Sequence, residues 1–415
     1  MQQVVVEEPY RNVPPWRGTR FSTLFQKLLM TPFLKHRFGI VDHKFHGIER
    51  FQQSLADGHG ILLCPNHCRD SDPIVMGLIC RSAHCHIHLL ASWHVFRQGW
   101  LESTAAWLLG GFSVYREGQD LQSLSSAIRI VTEGRRPLVI FPEGAISRSN
   151  DRLLRFMRGA SCIARAASRR RNRTGGNGRV MIFPLAIRYE LLGALNESVS
   201  PTLSAIEKRT FWKTYEHLSP GERIRQLGEA LVAAREVEIT GRTGSGRLRD
   251  RIETLIENTL RPHELRWLQI CRRGDRIQRI KDLRTTILRE LMDPQSTPEQ
   301  RTEGRRALID CYYAQALSLY PEDYLDQNLR GVVTPERVAE TVHRMEEDLT
   351  DSITLKPEWR VHFHFGEPIH VESGKAAPRR QNDEITTQLR TELLRQLQVQ
   401  DWWTDQSVAE VPDAE

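Results

Sequence analysis

The chain has 415 residues, 40% of them hydrophobic and 27% charged, with a formal net charge of +6. That composition fits a globular protein with one large domain or two ordinary ones. The mild basic excess is compatible with nucleic acid, an anionic membrane surface or acidic substrates and selects none of them. The apolar runs, of which Thr104–Val114 comes nearest, fall short of the roughly 20 residues that cross a bilayer, which excludes a spanning protein but not one lying on a membrane.

The first twenty residues are polar and interrupted by prolines, so an arm is expected and no secretory signal. Apolar residues at 21, 24, 25, 28 and 29 then share one helical face, flanked by Lys27, Lys35, His36 and Arg37. This helix either packs on the core or lies in an anionic interface. Segment 1–40 is therefore read as arm plus amphipathic helix. Seven cysteines are present with no CxxC pair. They fit free, mostly buried thiols in a reducing, cytoplasmic setting.

From 41 to 200 short apolar runs alternate with helical stretches. Ile61–Cys64, Ile87–Ala91, Phe112–Tyr115, Leu138–Phe141 and Val180–Phe183 read as strands, and Leu121–Thr132 and Arg152–Ala167 as helices. Pro184 is expected to interrupt the strand that continues to Ile187. Such alternation indicates an α/β fold: a mixed, mainly parallel sheet flanked by helices. Segment 201–352 reads as a large helical insertion. Ser219-Pro220-Gly221-Glu222 and Thr297-Pro298-Glu299-Gln300 are capping boxes, and Thr334-Pro335-Glu336 opens a helix in a similar way. Segment 353–400 returns with a closing strand at Arg360–Phe365 and a C-terminal helix. An acidic tail, 401–415, follows.

Three other clusters have competing readings. His84, His86 and His88 would share one face of a strand; without a carboxylate or CxxC partner a packed strand is favoured over zinc. Arg169–Arg173 is read as solvated surface, with anionic lipid second and nucleic acid last. Trp402-Trp403 is read as a packed helix end rather than an interfacial anchor.

The chemistry concentrates in Asn66-His67-Cys68-Arg69-Asp70-Ser71-Asp72, where a strand gives way to a helix beginning near Ser71. Strand ends in α/β sheets face the ligand crevice. His67 and Asp72 are five apart, so they meet only if the chain turns at Asp70 and Ser71. A neutral imidazole with a reference pKa of about 6.5 takes a proton from an alcohol at neutral pH. A carboxylate on its other nitrogen fixes the tautomer and stabilises the imidazolium. Phe141-Pro142-Glu143-Gly144 leaves Glu143 at another strand end. Gly110-Gly111-Phe112-Ser113-Val114-Tyr115-Arg116 ends on a guanidinium suited to phosphate.

These blocks, with the strand around Pro184, resemble the glycerophospholipid acyltransferase family, which includes lysophosphatidate acyltransferases. Its NHxxxxD and FPEG motifs occur here in the family's order, and Phe363–Ile369 is similar to its closing strand. The resemblance implies that His67 is the catalytic base and Asp72 its orienter. It places Arg116, Glu143 and Gly144 in the acceptor site, makes Arg148 a second phosphate contact and has Pro184 shape the pocket wall. Where the family often continues with Thr-Arg-Ser, this chain has Ala145-Ile146-Ser147, and Arg148 stands two positions later.

The expectation is a 1-acylglycerol-3-phosphate O-acyltransferase-like enzyme of phospholipid biosynthesis. It would move a fatty acyl group from acyl-CoA or acyl carrier protein to a glycerolipid hydroxyl such as that of lysophosphatidate. No metal or other cofactor and no nucleic acid is expected, and contact with an anionic membrane is peripheral. The competing class is a non-catalytic membrane-surface adaptor that keeps the fold. The sequence leaves open the acceptor, the donor carrier, the chain length and the role of the insertion.

Overall fold

A computed structural model of the chain describes residues 8–118, 120–175, 178–271, 274, 276–320, 334–351, 353–355, 357–372 and 383–398. Trp402-Trp403 and the acidic tail lie outside the described residues. The chain forms two compact units: Tyr10–Leu192 with Glu358–Glu415, and Met1–Pro9 with Gly193–Pro357.

In the first unit α1 (Arg20–Leu24) runs through a π-helical turn, Phe25–Leu29, into α2 (Met30–Phe38). Then come β1 (Ile40–His46), α3 (Ile48–Ala56), β2 (Gly60–Pro65), α4 (Asp72–Ser82), β3 (His88–Ser92), α5 (Trp100–Leu108) and β4 (Gly111–Val114). They are followed by α6 (Leu121–Glu133), β5 (Leu138–Val139), α7 (Gly159–Thr174) and β6 (Val180–Leu192). The second unit holds α8 (Leu195–Phe211), α9 (Pro220–Thr240), α10 (Leu248–His263), α11 (Arg276–Leu291), α12 (Pro298–Leu319) and α13 (Pro335–Thr350). The chain then returns to the first unit with β7 (Glu358–Phe365), β8 (Ile369–His370) and α14 (Glu384–Leu397).

The sheet is mixed and mainly parallel, as the alternating runs imply. Its order is β1-β7-β6-β2-β5-β3-β4, with β8 also on β6. β6 is antiparallel to β7 and β8, and the other pairings are parallel. β2 is central and all six of its residues are buried. Cover on both faces is why its sequence is an unbroken apolar run rather than an alternation.

Several expectations shift. Pro184 does not interrupt its strand, because β6 runs unbroken from Val180 to Leu192. Asn66 N donates to Leu185 O on the β2 side, while Gly366 N donates to Pro184 O on the other. The N–H that proline lacks therefore falls between the β8 partners at 181–182 and the β7 partners from 185 onward, where the ladder needs no donor. The helix expected over 152–167 starts only at Gly159. Leu153, Leu154 and Phe156 are buried from a loop, and that burial imitates helical periodicity. His84 has φ 49 and precedes β3, so only His88 of its trio belongs to that strand. Arg171 is not solvated: it is buried and donates to the carbonyls of Thr132 and Gly58.

The expected arm is docked from Tyr10 onward. Tyr10 stacks on Tyr115 at 5.0 Å, and Ser113 N donates to Val13 O. The segment thus pairs with the exposed rim of edge strand β4.

The helical unit carries its own core, in which Leu255, Ile256, Leu260, Leu283, Ile287 and Ala307 are almost wholly buried. Both capping boxes form reciprocally, at Ser219/Glu222 and Thr297/Gln300, and Thr334 caps α13 through Arg337 N. The segment expected as an insertion, 201–352, lies within this unit, which is wider because α8 already begins at Leu195.

Candidate active site

β2 ends at Pro65, and Asn66 prolongs the ladder with its side chain. Its Nδ2 donates to Ile187 O at 3.0 Å and its Oδ1 accepts from Ile187 N at 2.6 Å. These two hydrogen bonds anchor the point at which the backbone leaves the sheet and carries His67 to the strand's carboxyl end. The chain then turns, and Ser71 and Asp72 open α4. The turn brings His67 Nδ1 to 2.9 Å from Asp72 Oδ2, closing the five-residue gap.

The partners of Asp72 define its charge. Oδ2 accepts the backbone N–H groups of Cys68 and Arg69, each at 2.8 Å, and Oδ1 accepts the Tyr189 hydroxyl at 2.6 Å. Every one is a donor, so the carboxyl acts as an acceptor throughout and is ionised. His67 Nδ1 must then carry its proton, which leaves Nε2 as the basic nitrogen. Burial, and then the charge of Asp72, push the Tyr189 phenol well above its ordinary range, so it remains a donor. Ser71 Oγ lies 2.8 Å from that hydroxyl and supplies its remaining hydrogen bond. Arg69 is clamped between the rings of Tyr189 and Trp359, 4.3 and 3.7 Å from their centroids. The His67 side chain is 11% exposed and that of Asp72 fully buried, so the pair opens outward through the ring alone.

Phe141–Gly144 forms the opposite wall. The Phe141 ring stacks on His67 at 4.1 Å. Glu143, expected in the acceptor site, is instead a buried bracket: Oε1 accepts His67 N and Oε2 accepts Leu154 N, both at 2.6 Å. Burial raises its pKa to about 8, against the two N–H donors that favour the charge. Gly144 lies in the left-handed region at φ 67, and a Cβ there would sit 1.9 Å from Met157 Cε. Glycine is therefore needed for the turn and for the packing above it. Ser147 N donates to His67 O at 2.7 Å, tying the following loop to the histidine. Asn150 fastens the loop to β6, donating to Tyr189 O and accepting from Tyr189 N.

Arg148 pairs with Asp70 at 3.2 Å beside the histidine loop. Arg116 is exposed two residues beyond β4, on the same edge of the sheet as His67. β4 stands three ladders from β2, about 14 Å at the usual strand spacing. Pro184 is buried beside Cys64 within the sheet. The structure thus gathers His67, Asp72, Glu143 and Gly144 tightly, with Arg148 alongside, and sets Arg116 farther along the edge. Asn66, the first residue of NHxxxxD, also builds the site, as do Tyr189, Asn150 and Trp359, which lie outside the motifs. Tyr189 had one signal, a lone hydroxyl inside an apolar strand, which needs a partner when buried. Trp359 is 170 residues from Tyr189 and had none.

Residues 42–188 match the model of the family described as Acyltransferase. This stretch is an acyltransferase-family domain. The match runs from β1 into β6 and includes His67, Asp72, Arg116, Glu143, Gly144, Arg148 and Pro184. A search of curated proteins finds no match. Around the acyltransferase domain, β7 extends the same sheet from outside the matched residues, and its Trp359 closes on the NHxxxxD loop.

Proposed function

We propose that the chain moves a fatty acyl group from acyl-CoA or acyl carrier protein to a glycerolipid hydroxyl such as that of lysophosphatidate, in phospholipid biosynthesis. The observation carrying this reading is the His67–Asp72 pair, with Nδ1 committed to the carboxylate and Nε2 left as base. His67 Nε2 takes the acceptor's hydroxyl proton as its oxygen bonds to the thioester carbonyl carbon. The tetrahedral adduct then collapses, the C–S bond breaks, and the imidazolium returns the proton to the leaving thiolate. The nearby Ser71 and Tyr189 hydroxyls serve the Asp72 side, so the nucleophile is assigned to the substrate. No metal or other cofactor takes part in these steps. Arg148 and Arg116 supply cations on this edge for an acceptor phosphate, with Gly144 and Pro184 shaping the wall.

Peripheral contact with an anionic membrane at the cytoplasmic surface is part of the proposal. Leu24, Leu28, Leu29 and Phe33 are exposed on the helical stretch from α1 to α2, beside Lys27, Lys35 and Arg37. An apolar face with a basic flank suits such an interface. Among the described residues, no helix is long and apolar enough to cross a membrane.

The test is to incubate the full chain with mixed acyl thioesters and a panel of lysolipids and identify the products by mass. A lysolipid gaining one acyl group, with free thiol released, is expected. Liposome binding with no transfer from any thioester would overturn catalysis and favour an adaptor.

A further inference from the structure

The open polar face of the sheet near its β1 edge carries a histidine cluster that the acyl-transfer chemistry does not use. β1 and β7 pair in parallel, with His46 opposite His364 and Phe45 opposite Phe363. The two-residue period of a strand sends the phenylalanines to one face and His46, His362 and His364 to the other. The rings gather closely: His46 and His364 are stacked with centroids 4.2 Å apart, and His46 and His362 are 5.5 Å apart. His46 Nε2 lies 3.2 Å from His362 Nδ1, and one ligand nitrogen from each ring falls within 4.8 Å of the others.

Two nitrogens bound to a tetrahedral zinc at about 2.05 Å are about 3.3 Å apart. The first pair already stands at that separation; the three rings lie within 13° of parallel, so binding requires them to turn toward a common point. His362 also has the outer support typical of a metal ligand. Its Nε2 is 2.9 Å from Glu190 Oε2, and Glu190 is held in turn by Arg360 Nη1 at 3.0 Å. A carboxylate there keeps the proton on Nε2 and turns the Nδ1 lone pair toward the cluster.

We propose that His46, His362 and His364 hold a divalent cation of the zinc class, with Glu190 orienting His362 and a fourth coordination position open to solvent. Imidazole donors select such an ion over magnesium or calcium, which take oxygen ligands. The ion would join residues 316 positions apart and pin edge strand β1 to β7. β6 lies between this pair of strands and β2, the strand that leads to His67. The inference stands independently of the acyl-transfer reading.

The full chain, stripped with a chelator, is titrated with zinc against a chromophoric chelator and with cobalt(II) followed by absorption. One equivalent bound at micromolar concentration, with a tetrahedral or five-coordinate cobalt spectrum, is expected. His46→Ala removes an exposed side chain and should abolish that binding while circular dichroism is unchanged; His362→Ala should do the same. Glu190→Gln should weaken binding about 10- to 100-fold. His86→Ala and Cys271→Ser should leave it as in the wild type. Zinc should also raise the melting temperature of the wild type but not of His46→Ala. No binding at micromolar concentration, or binding that survives both histidine substitutions, would overturn the proposal.

Discussion

Four buried carboxylates, two from each unit, are held in opposite ways. In the helical unit Glu207 faces Arg223 at 2.7 Å and Glu264 faces Arg279 at 2.8 Å, with all four side chains at most 5% exposed. In the α/β unit Asp72 and Glu143 are held by backbone N–H groups, together with the Tyr189 hydroxyl and the His67 ring for Asp72. A guanidinium neutralises a carboxylate and makes it a fixed structural pair. Peptide dipoles and a hydroxyl hold Asp72 in place but leave its negative charge to act on whatever becomes positive beside it, whereas burial pushes Glu143 up to about 8 and keeps it mostly neutral at pH 7. At Asp72 that partner is the imidazole, so the site is built to favour an imidazolium. The chemical distinction between the two pairs of carboxyls lies in what surrounds each of them.

The sharpest way to break this comparison is Asp72→Asn. An amide keeps the shape but offers N–H groups to Nδ1, which disfavours the working tautomer; acyl transfer should fall by about 10⁴-fold. Retained activity, measured by thiol release at saturating substrate, would show that the charge does not matter. In the helical unit the corresponding change is Arg279→Ala. Removing the guanidinium from buried Glu264 should lower unfolding stability by about 3–5 kcal/mol in denaturant titrations. A loss below about 1 kcal/mol would mean that the pair is dispensable.

Glu143→Gln should be smaller, about 1–3 kcal/mol, because an amide offers one acceptor where Glu143 Oε1 and Oε2 serve two backbone donors. Its pH signature has a fixed sign. The folded pKa, about 8, is above the ordinary carboxyl value of 4.5. The contribution of Glu143 is therefore fully present below about pH 4.5 and lost as pH rises through about 8. Wild-type stability should fall between about pH 5 and about pH 9 by more than that of the variant. Equal slopes would refute the raised pKa. Tyr189→Phe removes one hydrogen bond to Asp72 while Arg69 keeps its stacking surface; turnover should drop about tenfold with KM little changed. A change in KM alone would assign Tyr189 to substrate binding.

The fold was legible wherever a local period decided the element. Strand runs such as Ile61–Cys64 and the capping boxes at Ser219 and Thr297 depend on neighbours a few residues away. The His67–Asp72 contact was legible for the same reason, as a short turn closes it. Elements failed to show where tertiary burial overrides local pattern. Leu153, Leu154 and Phe156 imitate a helix because their loop is buried, and Pro184 sits within a strand because its missing donor meets a gap in the ladder. Glu143 looked like a ligand-facing carboxylate at a strand end; only the fold shows that two backbone donors occupy it. The His46–His362–His364 cluster joins residues too far apart for any sequence window to connect.

The most direct measurement compares thiol release from an acyl thioester, in the presence of a lysolipid acceptor, by the wild-type chain and by His67→Ala. Thermal unfolding of both proteins should first establish that the variant is folded. With His67 as the base, the variant should lose about 10²- to 10⁴-fold in turnover and form no acylated lipid above background. Equal thiol release and equal lipid product by a folded His67→Ala protein would contradict the assignment.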